Sequence, residues 1–273
     1  MMRKLLFTVL SCLMVSCQAD NTLRVMSFNV RTSVKDDGDN SWDLRKEASV
    51  AMLEESCPDI FGVQEAQPDQ LAYIAGECPD YVPFGVGRDK GDDEGEHASI
   101  FYNRHVLEMV DGGTWWLSET PDVPSVGWDA KYPRTATWAL MEDLRSGKRF
   151  YFVNTHLDHK GVAARRNGLA MVMHKTRGLN PDIPLVLMGD FNVEPSDSCL
   201  VDIDRDMLSA RAVAAQTTDK PSFNGFKTPA SKTIDYIYFA GFEKALAFDV
   251  LDKSYAGKPY ISDHYPIVAT IAY

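Results

Sequence analysis

RFYFVNTHLDH (149–159) opens as an unbroken aromatic and aliphatic run and ends in amide, imidazole and carboxylate groups. A short run rich in Val and aromatics reads as a buried β-strand. Such a strand gains nothing from polar groups at its tip unless they are paired or bind something. Side chains alternate across a strand, so Asn154, His156 and Asp158 share one face while Thr155 and Leu157 share the other. One edge then presents an amide, an imidazole and a carboxylate at steps of about 6.5 to 7 Å. That row suits a phosphate and its metal. IPLVLM (183–188) leads in the same way into GDFN (189–192), and SDH (262–264) precedes YPIVATIA (265–272). Several strand ends of this kind point to one rim of a sheet lined with ligands.

Outward from these segments, the pattern predicts strands at Leu23–Asn29, Ile60–Gln64, Ala98–Tyr102, Thr135–Leu140, Phe150–His156, Leu185–Gly189, Thr233–Phe239 and Tyr265–Ala272. Helical spacing of apolar positions marks Ala48–Glu55 and Ala163–His174, with Arg45, Lys46, Arg165 and Arg166 on the wet side. Pro68 suits the first turn of a helix near Asp69–Ala75. KDDGDN (35–40) and RDKGDDEG (88–95) read as polar loops. Several strand pairs are too close for a helical crossover, which favours a mixed sheet over a pure βαβ wind. No boundary or repeat divides residues 22–273, so a single domain is expected there.

The N-terminus reads as an export signal. Arg3 and Lys4 precede an apolar core, Leu5 to Val15, too short to span a bilayer. LMVSC (13–17) resembles the bacterial lipobox, which implies a signal peptide over residues 1–16 and a lipidated Cys17; plain signal-peptidase cleavage nearby is the alternative. Either way the protein is expected to be exported, and with the lipid it is held to the envelope membrane, on the periplasmic face or outer surface. Export permits a disulfide among Cys57, Cys78 and Cys199, of which Cys57 and Cys78 are nearest in sequence. Spacing alone establishes no bond. The formal charge of −11 argues against a broad basic face tracking nucleic-acid phosphates. It does not exclude a nuclease, because a bound cation supplies local positive charge.

Other segments add groups to the rim. Asp190 and Asn192 share a face in GDFN, and Gly189 lets the backbone turn or approach closely; an Asx-type turn would look the same. Asn29 closes LRVMSFN (23–29) and Glu65 follows IFGVQ (60–64). Glu65 is a hard-oxygen ligand of the kind Mg²⁺ takes, or else an acid favoured at the start of the helix near Pro68. Asp235, inside TIDYIYF (233–239), needs a partner among its apolar neighbours. Paired with His264 it makes a general base; bonded to a tyrosine or backbone it would be structural. Glu96 precedes ASIFY (98–102) and would orient His156 in the same way, unless it is an exposed loop acid. Arg134 in KYPRTATW (131–138) could clamp a phosphate. Trp42 with Arg45, or Trp115 with Trp116, could stack on a base or sugar, core packing being the plainer reading.

The order SFN, QE, GExxxIFY, NTHLDH, GDFN, DYIY and SDHYP resembles the endonuclease/exonuclease/phosphatase superfamily from about Arg24 to Tyr273. The resemblance implies an α/β (α+β) four-layer sandwich, two mixed β-sheets packed face to face with helices on both outer faces. It implies a metal-dependent phosphoesterase, most often using Mg²⁺, with Mn²⁺ as a substitute. Carried over, Glu65 would be the principal metal ligand, with Asn29 and Asp263 nearby. Asp190 and Asn192 would position the water or the phosphate. His156, set by Glu96, would stabilise transition-state charge, and His264, oriented by Asp235, would activate the water. Asn154, Asp158 and Arg134 are the expected substrate contacts. The expected activity is hydrolysis of a phosphodiester or phosphomonoester, in a small molecule or a lipid head group, by a monomer with no evident protein partner. A nuclease, either a DNA endonuclease or a deadenylase-like 3′–5′ RNA exonuclease, is the alternative. A non-catalytic binding module would predict a broken constellation, whereas every matched position is occupied.

Overall fold

Alternation along each strand assigns its side chains to different layers. In the computed structural model, which describes residues 21–273, the chain runs β1 (Thr22–Asn29), α1 (Trp42–Ser56), β2 (Ile60–Gln64), α2 (Pro68–Glu77), β3 (Tyr81–Phe84), β4 (Ile100–Asn103), β5 (Leu107–Trp116), β6 (Thr135–Asp143), β7 (Arg149–His156), α3 (Val162–Arg177), β8 (Leu185–Asp190), α4 (Val201–Asp206), β9 (Leu208–Ser209), α5 (Ala210–Val213), β10 (Gln216–Thr217), β11 (Asp235–Ala240), β12 (Lys244–Val250) and β13 (Ile267–Ala272). One sheet of 7 strands has the order β10-β12-β13-β1-β2-β4-β3, and one of 6 has the order β5-β6-β7-β8-β11-β9. Both are mixed. β1 runs parallel to β2 and antiparallel to β13, and β7 runs parallel to β8, which is antiparallel to β11.

The sheets face one another across a core of Leu23, Val25, Ile60, Ile267 and Ile271 from one side and Phe150, Phe152, Val186, Met188, Ile237 and Phe239 from the other. The opposite face of the first sheet, with Met26, Phe28, Phe61 and Val63, packs on Trp42, Met52 and Leu53 of α1 and Ile74 of α2. The opposite face of the second, with Val153, Leu187 and Tyr238, packs on Leu169 and Val172 of α3 and Ile203 of α4. These are the four layers implied by the resemblance.

The predicted strands and helices are present, with ends shifted by a few residues; α1 begins earlier, at Trp42. β3, β5, β9, β10 and β12, and the short helices α4 and α5, were not anticipated. Arg45 is corrected: it is not on a wet face but 1% exposed. Its guanidinium donates to the carbonyls of Asn40, Val30, Arg31 and Ile261, tying the segment after β1 to the one before β13. Arg165 is half-buried and donates to the Asp158 carbonyl at 3.0 Å. Cys57, Cys78 and Cys199 are free thiols, so the nearest-pair bond is absent. The signal segment 1–16 and Cys17 lie outside the described residues. Among those described, no helix is long and apolar enough to cross a membrane.

Candidate active site

The inward-facing positions that are apolar mid-strand become polar at one rim. Along β1 the inner series is Leu23, Val25, Ser27, Asn29; along β7 it is Phe150, Phe152, Asn154, His156; along β8 it is Val186, Met188, Asp190. β11 is antiparallel and enters at this rim with Asp235. Register aligns His156 with Asp190 and Asp190 with Asp235, while Asn29 aligns with Gln64 at the end of β2. Gly189 permits the junction: its φ is +141°, and a Cβ there would lie 1.8 Å from the Thr155 carbonyl oxygen.

Asp190 is the hub. Its carboxylate accepts from the Asn192 backbone N–H (2.9 Å) and from Asn29 Nδ2 (3.0 Å). His156 Nε2 is 3.4 Å and His264 Nε2 3.7 Å from the same oxygen. His264 Nδ1 is 2.9 Å from Asp235 Oδ2, as expected for that pair, and Phe223 meets the ring edge-on at 5.1 Å. Burial alone disfavours the imidazolium, but the carboxylates of Asp235 and Asp190 outweigh it and raise His264 well above its ordinary pKa. Burial pushes Asp190 up to about 7. Each charge favours the other: the imidazolium holds Asp190 down and the Asp190 carboxylate holds His264 up.

His156 is held by Asn192, not by Glu96. Asn192 Nδ2 donates to the Leu157 carbonyl (3.0 Å) and to His156 Nε2 (3.0 Å), so the ring proton sits on Nδ1. Burial, then Arg134 and Arg88, depress its pKa far below the ordinary value, leaving a neutral ring. Glu96 instead accepts from Arg88 Nη1 at 2.5 Å, because the 88–95 loop folds Arg88 inward. This corrects the expected role of Glu96.

Two expected substrate contacts are engaged inside the protein. Asn154 crosses between the sheets: its Oδ1 accepts from Gln64 Nε2 (2.7 Å), and its Nδ2 donates to the carbonyls of Val63 (2.9 Å) and Ser99 (3.0 Å). Gly62 makes the room, since a Cβ there would lie 2.4 Å from the Asn154 carboxamide carbon. Asp158, one step past the strand end, accepts from the N–H groups of Lys160, Gly161 and Lys131 and from Arg134 Nε. It positions Arg134 and offers nothing to a substrate. Arg134 lines the cleft with Glu65, Arg88, Glu96 and His156, its Nη2 donating to His159 Nδ1 at 3.0 Å. The tryptophans are core: Trp42, at the start of α1, packs on the first sheet, Trp115 stacks on Trp138 at 5.6 Å, and Trp116 Nε1 donates to the Arg88 carbonyl at 2.7 Å.

The donors for a cation converge from both sheets. Ligand atoms of Glu65, His156 and Asp190 lie within 4.8 Å of one another, and so do those of Asp190, Asp235 and His264. Asn29 Nδ2 bridges Glu65 (3.1 Å) and Asp190. Two carboxylates drawn together, Glu65 half-buried and Asp190 buried with its pKa raised, fit a hard divalent cation. Asp263 belongs to neither donor group but adjoins them through Arg31, whose Nη1 is 3.5 Å from its carboxylate and 4.0 Å from that of Glu65; burial raises its pKa. Glu65 (φ +60°) and Asn192 (φ +53°) hold the left-handed backbone that non-glycine residues seldom adopt, and such strain gathers at functional sites.

Sequence reading missed Arg31, which faces Glu65, Asp263 and Asp37, as well as Arg88, Gln64 and Ser262. Ser262 donates to the Asn29 carbonyl at 2.6 Å. Arg31 lies two residues past Asn29, and Gln64 and Ser262 fall inside QE and SDH; Arg88 is the one that left no signal.

The model of the Endonuclease/Exonuclease/phosphatase family matches residues 26–264. The mannosyl-6-phosphatase of Bacteroides thetaiotaomicron VPI-5482 is 32% identical, with a TM-score of 0.87 over 92% of this chain and 100% of its own. An endonuclease/exonuclease/phosphatase from Bacteroides vulgatus is 33% identical, with a TM-score of 0.86 over 92% of this chain and 98% of its own. The uncharacterised protein L388 of Acanthamoeba polyphaga mimivirus is 26% identical over 67% of this chain and 70% of its own length. Site geometry, fold and family match agree: the chain belongs to the endonuclease/exonuclease/phosphatase family of metal-dependent hydrolases of phosphate esters.

Proposed function

We propose that this chain is an exported, lipid-anchored, Mg²⁺-dependent phosphoesterase that acts on small phosphomonoesters. The convergence of Glu65, His156, Asp190, Asp235 and His264 carries the reading. The likeness to a mannosyl-6-phosphatase supports a monoester substrate, and the formal charge of −11 disfavours a long polyanion. Arg3, Lys4, the apolar core and LMVSC (13–17) support export and a lipid on Cys17.

Glu65 and Asp190, with Asn29, would hold the cation, which when bound would supply positive charge to polarise a phosphoryl oxygen. The neutral His156 offers its Nδ1–H to a non-bridging oxygen, and Asn192 keeps the ring in that tautomer. Arg134 adds a guanidinium whose Nη1 makes no hydrogen bond among the described residues. The Asp190–His264 pair takes up the proton of the attacking water, on Asp190 while His264 is an imidazolium, and Asp235 holds His264 Nδ1 so that Nε2 faces Asp190.

The test is hydrolysis by the purified protein of p-nitrophenyl phosphate, bis-p-nitrophenyl phosphate, plasmid DNA and RNA, with Mg²⁺ or EDTA. Monoester turnover abolished by EDTA and by Glu65→Ala, with cation binding lost in calorimetry of that variant, is the expected result. Preferential, EDTA-sensitive hydrolysis of DNA and RNA would replace the reading with a nuclease. Acyl labelling in cells, lost in Cys17→Ala, tests the anchor.

A further inference from the structure

One wall of the cleft holds two charged groups that the chemistry above does not use. Arg88 is 9% exposed. Its Nη1 donates to Glu96 Oε2, but its Nε is enclosed without a hydrogen-bond partner, the Asp89 carboxylate standing 3.8 Å away. Glu96 accepts through Oε2 alone; its Oε1 accepts from no residue among those described. Burial works against both charges, lowering Arg88 and raising Glu96. Arg88 lies over the Tyr132 ring at 5.1 Å, and the Trp116 indole holds its backbone. The pair is therefore locked in place. An enclosed guanidinium N–H without a partner is costly, and such groups are uncommon unless something else satisfies them. Glu96 is not needed to orient His156, because Asn192 does that.

Glu65, Arg88, Glu96, Arg134 and His156 line the same cleft, so whatever occupies this wall adjoins the scissile phosphate. A second phosphate is disfavoured by the Glu96 carboxylate. A hydroxyl both donates and accepts, and a guanidinium beside a carboxylate offers the complement of each. Resting on the phosphomonoesterase reading, we infer that the leaving group is hydroxyl-rich, a sugar or polyol, and that Arg88 and Glu96 read its hydroxyls.

The experiment compares kcat/KM of the purified protein with Mg²⁺ for a hexose 6-phosphate, glycerol 3-phosphate and n-hexyl phosphate. Both hydroxylated esters should exceed n-hexyl phosphate by at least about tenfold, since a site built to bond hydroxyls discriminates against analogues lacking them. The ratio of the hexose ester to glycerol 3-phosphate separates a sugar from a shorter polyol. Glu96→Gln and Arg88→Lys should each shrink the preference over n-hexyl phosphate by about tenfold, with melting curves verifying the fold. Equal turnover of hydroxylated and alkyl esters by the parent protein, within about threefold, overturns the inference whether or not the variants fold. So does a full preference retained in both folded variants. Turnover of none of the three esters overturns the phosphomonoesterase reading and this inference with it.

Discussion

His264 stands between Asp235 at 2.9 Å and Asp190 at 3.7 Å, and those two carboxylates give the ring a basicity that burial alone would remove. Replacing Asp235 by Asn keeps the shape and removes the charge. Its expected effect is a fall in kcat of about 10²–10⁴-fold, the usual worth of an acid–base group, with KM changed far less. Steady-state kinetics decide it, and a kcat within about threefold of the parent would remove His264 from proton transfer. The pair was legible because a carboxylate inside an apolar strand demands a partner and few histidines are available. Glu96 was misread because its direction depends on Arg88, eight residues upstream, whose charged loop gives no sign that it folds inward. Asn154 was misread for a different reason. An amide that binds substrate and one that binds two backbone carbonyls look the same in sequence.

At the scale of elements, the strands carrying site residues were the easiest to find, since each is a continuous apolar run ending in polar groups. β5 was hidden by Asp111, Gly112 and Gly113 at its centre and by a register shift between Met109 and Asp111. β12, KALAFDV, is too weakly apolar to stand out. α3 shows why helix starts were less legible. Its N-cap is Gly161, which has no side chain to offer. The cap comes from Asp129, whose carboxylate accepts from the N–H groups of Ala164 (2.7 Å) and Ala163 (3.3 Å). Those bonds, the one from Ala164 foremost, lower its pKa below the ordinary 3.8. A depressed carboxylate contributes stability above its unfolded-state pKa and loses that contribution as pH falls through the folded-state value. Asp129→Ala should therefore lower the melting temperature at pH 7 by about 2–4 °C. The gap to the parent should shrink as pH drops below about 4. A gap constant between pH 7 and pH 3 would show that the loss is not that of an ionised cap.

At the scale of the whole molecule, the site exists because two sheets meet there. The seven-motif order implied the sandwich, but nothing in it showed how the sheets are locked together near the rim. Asn154 does this, reaching from β7 to Gln64, to the end of β2 and to Ser99 beside β4. Asn154→Ala would leave the Val63 and Ser99 carbonyls each without the Asn154 donor, at a cost of about 2–3 kcal/mol. Urea unfolding reads that loss. The folded variant should lose far less kcat than Asp235→Asn, and the reverse order would return Asn154 to the substrate.

The same junction makes cation binding a property of the fold as well as of catalysis. Glu65 follows β2 of one sheet and Asp190 ends β8 of the other, so an ion taken by both would join the two sheets at the rim. Ligand that binds only the folded state adds about 2.7 kcal/mol at a hundredfold excess over its Kd. For a chain of this size that is a rise in melting temperature of about 5–10 °C. Mg²⁺ should produce the rise in the parent protein and EDTA should reverse it. Glu65→Gln, which removes the charge donated by the first sheet, should show little of it, whereas Asp129→Ala, remote from the donors, should rise as the parent does. A melting temperature unmoved by saturating Mg²⁺ or Mn²⁺ would mean that Glu65 and Asp190 do not share an ion, however close Asn29 holds them.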